Sequence, residues 1–250
     1  MTHKEARYMK TAVIAILFLL MACLTGASAG LFDDALKAVE QPSPKASQKS
    51  PDENTTVSGL KEALNIGTKN AVKEVSKVNG YFGNEAIKIL LPEKIRKAGE
   101  VLSTIGYKKE VDDFVLSMNR AAEKASTRAV PIFADAIKHM TFDDARKILR
   151  GGDTAATDFF KEKTSANLFN EFKPVVTESM DKVGVAQSYK KMTSGYDKVP
   201  FLKKEDIDLD QYVTNKALSG LYLMVGQEEK KIRTDPAAQV TDLLKKVFGK

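Results

Sequence analysis

The sequence predicts an all-α fold: a single multi-helix bundle-like domain of seven to nine helices, preceded by a signal peptide and a flexible linker. Three observations predict it. Apolar residues recur at three- and four-residue steps from Leu60 almost to the end of the chain. Glycine and proline fall between those runs, where helices stop and start. Alternation with period two, the mark of a half-buried strand, is nearly missing.

The first 29 residues have the three-part layout of a signal peptide. Lys4, Arg7 and Lys10 form a basic front, residues 11–22 an apolar run, and Ala27-Ser28-Ala29 a small-residue cleavage site. The run is shorter than the roughly 20 residues that a bilayer-spanning helix needs. The nearest later run, residues 217–225, contains Ser219 and Gly220 and reads as a buried helix core. The expected product is therefore exported to the periplasm and is not integral to the membrane. Cys23 supplies an alternative. Leu20-Met21-Ala22-Cys23 resembles the lipobox of bacterial lipoproteins, which makes Cys23 a candidate lipidation site and the protein a lipid-anchored envelope factor. Met21 and Leu24 are unusual neighbours for that motif, so cleavage after Ala29 is preferred.

Composition narrows the chemistry. Removing residues 1–29 lowers the basic and acidic counts from 39 and 33 to 36 and 32, a net charge of about +4. Basic and acidic residues alternate, as at Lys61-Glu62, Lys73-Glu74, Glu93-Lys94 and residues 228–231. These read as solvated helix faces, and no nucleic-acid partner is expected. Without Cys23 the mature chain has no cysteine, and without His3 it keeps only His139. A zinc site of Cys and His is excluded by count, and no cofactor is implied.

The elements follow in order. Residues 30–40 have a weak helical pattern with Leu31, Phe32, Ala35, Leu36 and Val39 on one side. Residues 41–55, rich in Pro and Ser and almost free of apolar side chains, read as linker. The helical domain is expected over 56–249. Leu60, Leu64, Ala71, Val75 and Val78 suit one helix face, with Gly67 as a weak point. Residues 87–91 are the best strand candidate and read rather as helical or extended linkage. Pro92 opens a helix carrying Ile95, Ala98, Leu102 and Ile105, which stops at Gly106. Val111, Phe114, Val115, Met118, Ala121, Ala122, Ala125 and Ala129 form the longest stripe, and Pro131 breaks or kinks it.

Thr141 with Asp144 is a capping-box-like start for a helix that ends at Gly151-Gly152. Phe159, Phe160, Leu168, Phe169 and Phe172 form an aromatic section interrupted at Pro174, and the helical pattern then continues to Gly184. Gly195 and Pro200 suggest a surface loop over 189–202. Asp208, with Gln211 three residues on, caps a helix apolar on much of its circumference, as expected of a central element. Asp235-Pro236 opens a last helix with Val240, Leu243, Leu244 and Val247 on its buried face.

The segments SMNRAAEKA (117–125), DLDQYVTNKALSGL (208–221) and IRTDPAAQVTDLLKKVFG (232–249) resemble an exported bacterial family called domain of unknown function 4197. LKEALNIGTKNAV (60–72), PIFADAIKHMT (131–141) and DKVGV (181–185) add to the resemblance. It implies an exported, mostly helical bacterial protein with no activity or catalytic residues to carry over. Ser219 and Gln239 stand where the resemblance implies Asp and Arg, so a site at those positions would be altered in this chain.

Candidate chemistry is sparse. Asp206, Asp208 and Asp210 alternate as in a calcium loop, but Gln211 stands where glycine is needed and Ala217 where glutamate is needed. A helix cap at Asp208 explains the run. Asn119, Arg120 and Glu123 lie on the polar side of their helix and are expected to pair with each other or to face Lys216, Arg233 or Asp235 across the bundle. That cluster reads chiefly as an ion-pair network, and it is also the best candidate for an anion-binding cleft. No nucleophile motif or phosphate-cradling glycine pattern occurs, and His139 reads as a surface or capping residue. Phe159, Phe160, Phe169 and Phe172 suit a core or an apolar pocket. The sequence leans towards a non-catalytic binding or structural module of the bacterial cell envelope, whose partner is an unidentified protein or a small apolar ligand. A metal-independent hydrolase using carboxylates is the alternative.

Overall fold

Glu53 opens the first helix, α1 (Glu53–Ser76), inside the stretch expected as linker. The computed structural model describes residues 53–182, 194, 207–235, 238, 239, 241, 242 and 245. They belong to one compact unit, residues 50–250. After α1 come α2 (Glu93–Leu102), a π-helical turn (Ser103–Tyr107), α3 (Lys108–Ser126), α4 (Ala129–Lys138), α5 (Phe142–Arg150), α6 (Ala155–Lys182) and α7 (Leu209–Thr234). The described residues are all-helical and contain no strand.

Among the described residues the helices number five rather than the expected seven to nine, when α2 to α4, which follow one another almost without a gap, are counted as one run beside α1, α5, α6 and α7. Two expected breaks turn out differently. Pro174 lies inside α6, on its exposed side, and Asn170, whose carbonyl loses its donor, is an exposed residue too. Pro131 sits in the first turn of α4, where its missing N–H has no helical acceptor to lose. The bend comes earlier, at Thr127 and Arg128, both still in the helical region of φ and ψ. Gly106 is the true break, with φ of 103°, a left-handed conformation that glycine adopts without penalty.

Local signals elsewhere act as the sequence suggests. The Thr141 hydroxyl accepts from Asp144 N–H at 3.1 Å and the Asp144 carboxylate accepts from Thr141 N–H, which completes the capping box. That bonding to Thr141 holds the Asp144 carboxyl below the usual range. Asp208 caps α7 by accepting from Gln211 N–H at 2.8 Å. Residues 87–91 form neither helix nor strand: Ile87 ends a turn, its N–H and that of Lys88 both donating to the Asn84 carbonyl, and Ile87, Ile89 and Leu91 are buried.

Helix α7 is central, packed on α6, α1 and α3. Val213, Ala217, Leu221 and Val225 are buried among the fully enclosed Phe114, Phe133, Phe160 and Phe172. Each large side chain so enclosed contributes about 1.5–3 kcal/mol relative to exposure. Phe133 meets Phe160 edge-on at 5.0 Å and Tyr222 at 6.3 Å, so much of the expected aromatic section is core. No helix among the described residues is long and apolar enough to cross a membrane. The signal peptide, Cys23, the 30–40 segment, Gly184, Gly195, Pro200 and the Val240, Leu243, Leu244 and Val247 face lie outside the described residues.

Candidate functional site

The expected polar cluster separates into two buried clamps. Asn119 is fully enclosed on α3, and its Oδ1 accepts from Ile89 N–H at 2.8 Å. Its Nδ2 donates to the Ile89 carbonyl at 2.8 Å, so one amide satisfies both backbone groups of a buried residue outside any helix. One turn along, the Glu123 Oε1 accepts from the backbone N–H of Tyr81 at 3.1 Å and of Phe82 at 3.3 Å. Its Oε2 takes Arg120 at 2.6 Å, and Arg120 donates onward to the Asn79 side chain at 2.7 Å. Asn79 holds a left-handed φ of 64°. The three residues thus pin the connection between α1 and α2. Asn119 and Glu123 do not lie on the polar face that their spacing suggests, because this connection crosses over them and supplies amides that only polar side chains can satisfy.

Lys216, Arg233 and Asp235 do not join that cluster. Lys216 is exposed, with its ammonium 5.8 Å from the Tyr212 ring centre. Asp235 is the exposed C-cap of α7. Arg233 belongs to a second clamp that sequence reasoning missed, built on Glu229. The Glu229 carboxylate accepts from Ala156 N–H at 2.9 Å, from Thr157 N–H at 2.9 Å and from the Thr157 hydroxyl at 2.8 Å. These are orphan donors at the start of α6, so Glu229 caps that helix from another one. Arg233 neutralises it at 2.9 Å and donates to the Ile148 carbonyl in α5. Residues 228–231, expected as a solvated face, therefore bury both Glu228 and Glu229.

Two surface grooves flank α6. The first, about 810 Å³, lies between α4 and α6 and is lined by Arg128, Asp135, His139, Asp144, Lys163 and Glu171 among others. His139 caps the end of α4, its Nδ1 3.0 Å from the Asp135 carbonyl, which agrees with the expected surface role. The second, about 1190 Å³, runs between the antiparallel α6 and α7. Tyr222 marks its middle, its hydroxyl 2.9 Å from Thr164 and 3.1 Å from Ser165, and burial raises that phenol's pKa. Asn215, Gln227 and Lys230 also line it, with no hydrogen bond or ion pair to their side chains among the described residues. Ser219 lies on its wall and donates to the Asn215 carbonyl. Gln239, the other position singled out, is buried and donates to the Ile232 carbonyl at 3.2 Å.

Asp208 and Asp210 are both committed, the first as a cap and the second accepting from Thr177 at 2.6 Å, and Asp206 lies outside the described residues. Among the described residues no group of three or more metal-ligating side chains converges.

A family model described as a protein of unknown function, DUF4197, matches residues 50–249. The chain belongs to the DUF4197 family. The match spans the whole helical unit, both clamps and both grooves, and agrees with the resemblance carried by the segments around Asn119 and along α7. No curated protein and no solved structure matches the chain.

Proposed function

We propose that this DUF4197 member is an exported, non-catalytic binding module of the bacterial cell envelope, whose ligand seats in the groove between α6 and α7. One contrast carries the reading. The buried carboxylates of Glu123 and Glu229 are committed to holding the fold, whereas the groove between α6 and α7 displays uncommitted amide and ammonium groups beside apolar wall. Export rests on the layout of residues 1–29, and release after Ala29 is preferred over lipidation of Cys23.

A carboxylate hydrolase is the less favoured reading. It would need an acid that holds its proton near neutral pH, and in the groove between α4 and α6 Asp144 is shifted the other way. Two measurements test the proposal. Intact mass of the mature protein is expected to start at Gly30, and a mass starting at an acylated Cys23 would replace release by anchoring. Gly226→Phe is expected to abolish co-purification of small molecules with the folded protein. Unchanged co-purification in a folded variant would remove the groove as the site.

A further inference from the structure

The groove between α6 and α7 changes character along its length. Three pairings fix the alignment of its walls: Thr157 with Glu229, Ser165 with Tyr222, and Thr177 with Asp210. At the end near the start of α6 stand two ammonium groups, Lys161 and Lys230, both exposed, against the single lining acid Asp153. Lys161 keeps only a loose contact of 3.8 Å with Asp158, and Lys230 has no ion pair among the described residues. Further along, from Thr157 to Phe169, about 18 Å of helix at 1.5 Å per residue, apolar side chains gather in the lining beside the polar Ser165, Ser219 and Asn215.

There Phe169 on α6 faces Leu218 and Leu223 on α7, with Ala86 at the edge. Leu223 is 42 % exposed although Tyr222 and Met224 beside it are buried. Leu223, Leu218 and Phe169 together give this end of the groove an apolar wall that a ligand can cover. On α7, between Lys230 and Leu223, the lining residue is Gly226, where an added Cβ would stand 3.5 Å from the Thr157 hydroxyl, an ordinary contact, and a larger side chain would reach into the groove.

Resting on the proposal that this groove is the binding site, we infer that its ligand is an anionic amphiphile. An acid head sits between Lys161 and Lys230, and a single acyl chain runs past Gly226 along Leu223, Leu218 and Phe169. Carboxylate and phosphate heads share this chemistry, so a free fatty acid and a lysophospholipid are its two sources. Charge complementarity at one end and apolar burial at the other account for both halves of the molecule. A neutral polar ligand would leave the apolar half uncovered, and a bare anion would leave Leu223 exposed.

The test is calorimetric titration of the purified, delipidated full chain with dodecanoate, dodecyl phosphate, dodecanol and butyrate. Dodecanoate or dodecyl phosphate, or both, are expected to bind, and the tighter of the two identifies the source as free acid or phospholipid. Lengthening the chain is expected to tighten binding by up to about fourfold per buried methylene, the equivalent of 0.8 kcal/mol. Lys161→Glu with Lys230→Glu is expected to weaken the acids roughly tenfold or more and to leave dodecanol unchanged. Gly226→Phe should abolish binding of all chains. Leu223→Glu, a change at an already exposed position, should do the same without loss of fold. Equal binding of dodecanol and dodecanoate, or no effect of the lysine changes, overturns the ligand assignment while leaving the groove. Binding that survives both Gly226→Phe and Leu223→Glu overturns the groove itself.

Discussion

Glu229 and Arg233 stand one turn apart on α7 and pair at 2.9 Å, yet the bonds that matter most leave their helix. Glu229 closes the start of α6 and Arg233 the end of α5, so one ion pair fixes the corner over 150–157 against the central helix. Glu229 is buried and Arg233 half-buried, and a carboxylate so placed is stable only with its full set of donors. Glu229→Ala leaves two backbone N–H groups and a hydroxyl without their acceptor, and the Arg233 guanidinium without its counter-ion. We expect it to lower the unfolding free energy by about 3–5 kcal/mol, read as the urea midpoint. A loss below about 1 kcal/mol would mean that water replaces the carboxylate and that the clamp is dispensable.

The pair Asn119 and Glu123 does for the connection after α1 what Glu229 does for the corner before α6. Removing either leaves α3 intact and frees residues 77–92, so the effect should be local before it is global. Asn119→Ala is expected to speed hydrogen exchange at Ile89, and Glu123→Ala at Tyr81 and Phe82, by at least tenfold, with α6 amides little changed. Equal acceleration throughout the protein would show that the connection has no opening of its own. Arg120→Ala should have a smaller effect than Glu123→Ala, because Arg120 is the more exposed partner and Glu123 keeps its backbone donors without it.

These clamps mark the boundary of what the sequence discloses. Helical periodicity located the rods and named the core of α7, and the caps at Thr141 and Asp208 were legible because their partners lie three residues away. Glu229 was not legible, since its donors are about seventy residues distant and its neighbours Lys230 and Lys231 imitate a solvated face. Asn119 and Glu123 gave a fainter signal: two polar side chains one turn apart within an alanine-rich stripe. Periodicity assigns them to the outside, and only the path of the connection over 77–92 reverses that. The grooves were not legible at all, because a concavity depends on how the walls of separate helices line up, and the periodicity of one helix carries no sign of its neighbour.

The last relationship joins that connection to α7 and predicts a pH dependence. Tyr81 is fully buried, and its hydroxyl donates to the Ala217 carbonyl at 2.6 Å and accepts from Ser126 at 3.3 Å. Gly220 permits this approach, since a Cβ at that position would stand 2.7 Å from the Tyr81 ring and 3.1 Å from Ile87. Gly220→Ala should therefore cost about 1–3 kcal/mol, although alanine is the better helix former. Burial, with the nearby Glu123 carboxylate adding to it, raises the phenol well above its ordinary pKa of 10.0. A raised folded-state value means that the native protein holds this proton where the unfolded chain has lost it. Stability from Tyr81 is then complete below about pH 10 and falls as the pH rises beyond it. Tyr81→Phe loses the bond to Ala217, a cost of about 1 kcal/mol at neutral pH, and also loses the titrating group. The gap between wild type and Tyr81→Phe should therefore narrow in urea melts between pH 9 and pH 11. A gap that stays constant across that range would place the alkaline sensitivity on other groups.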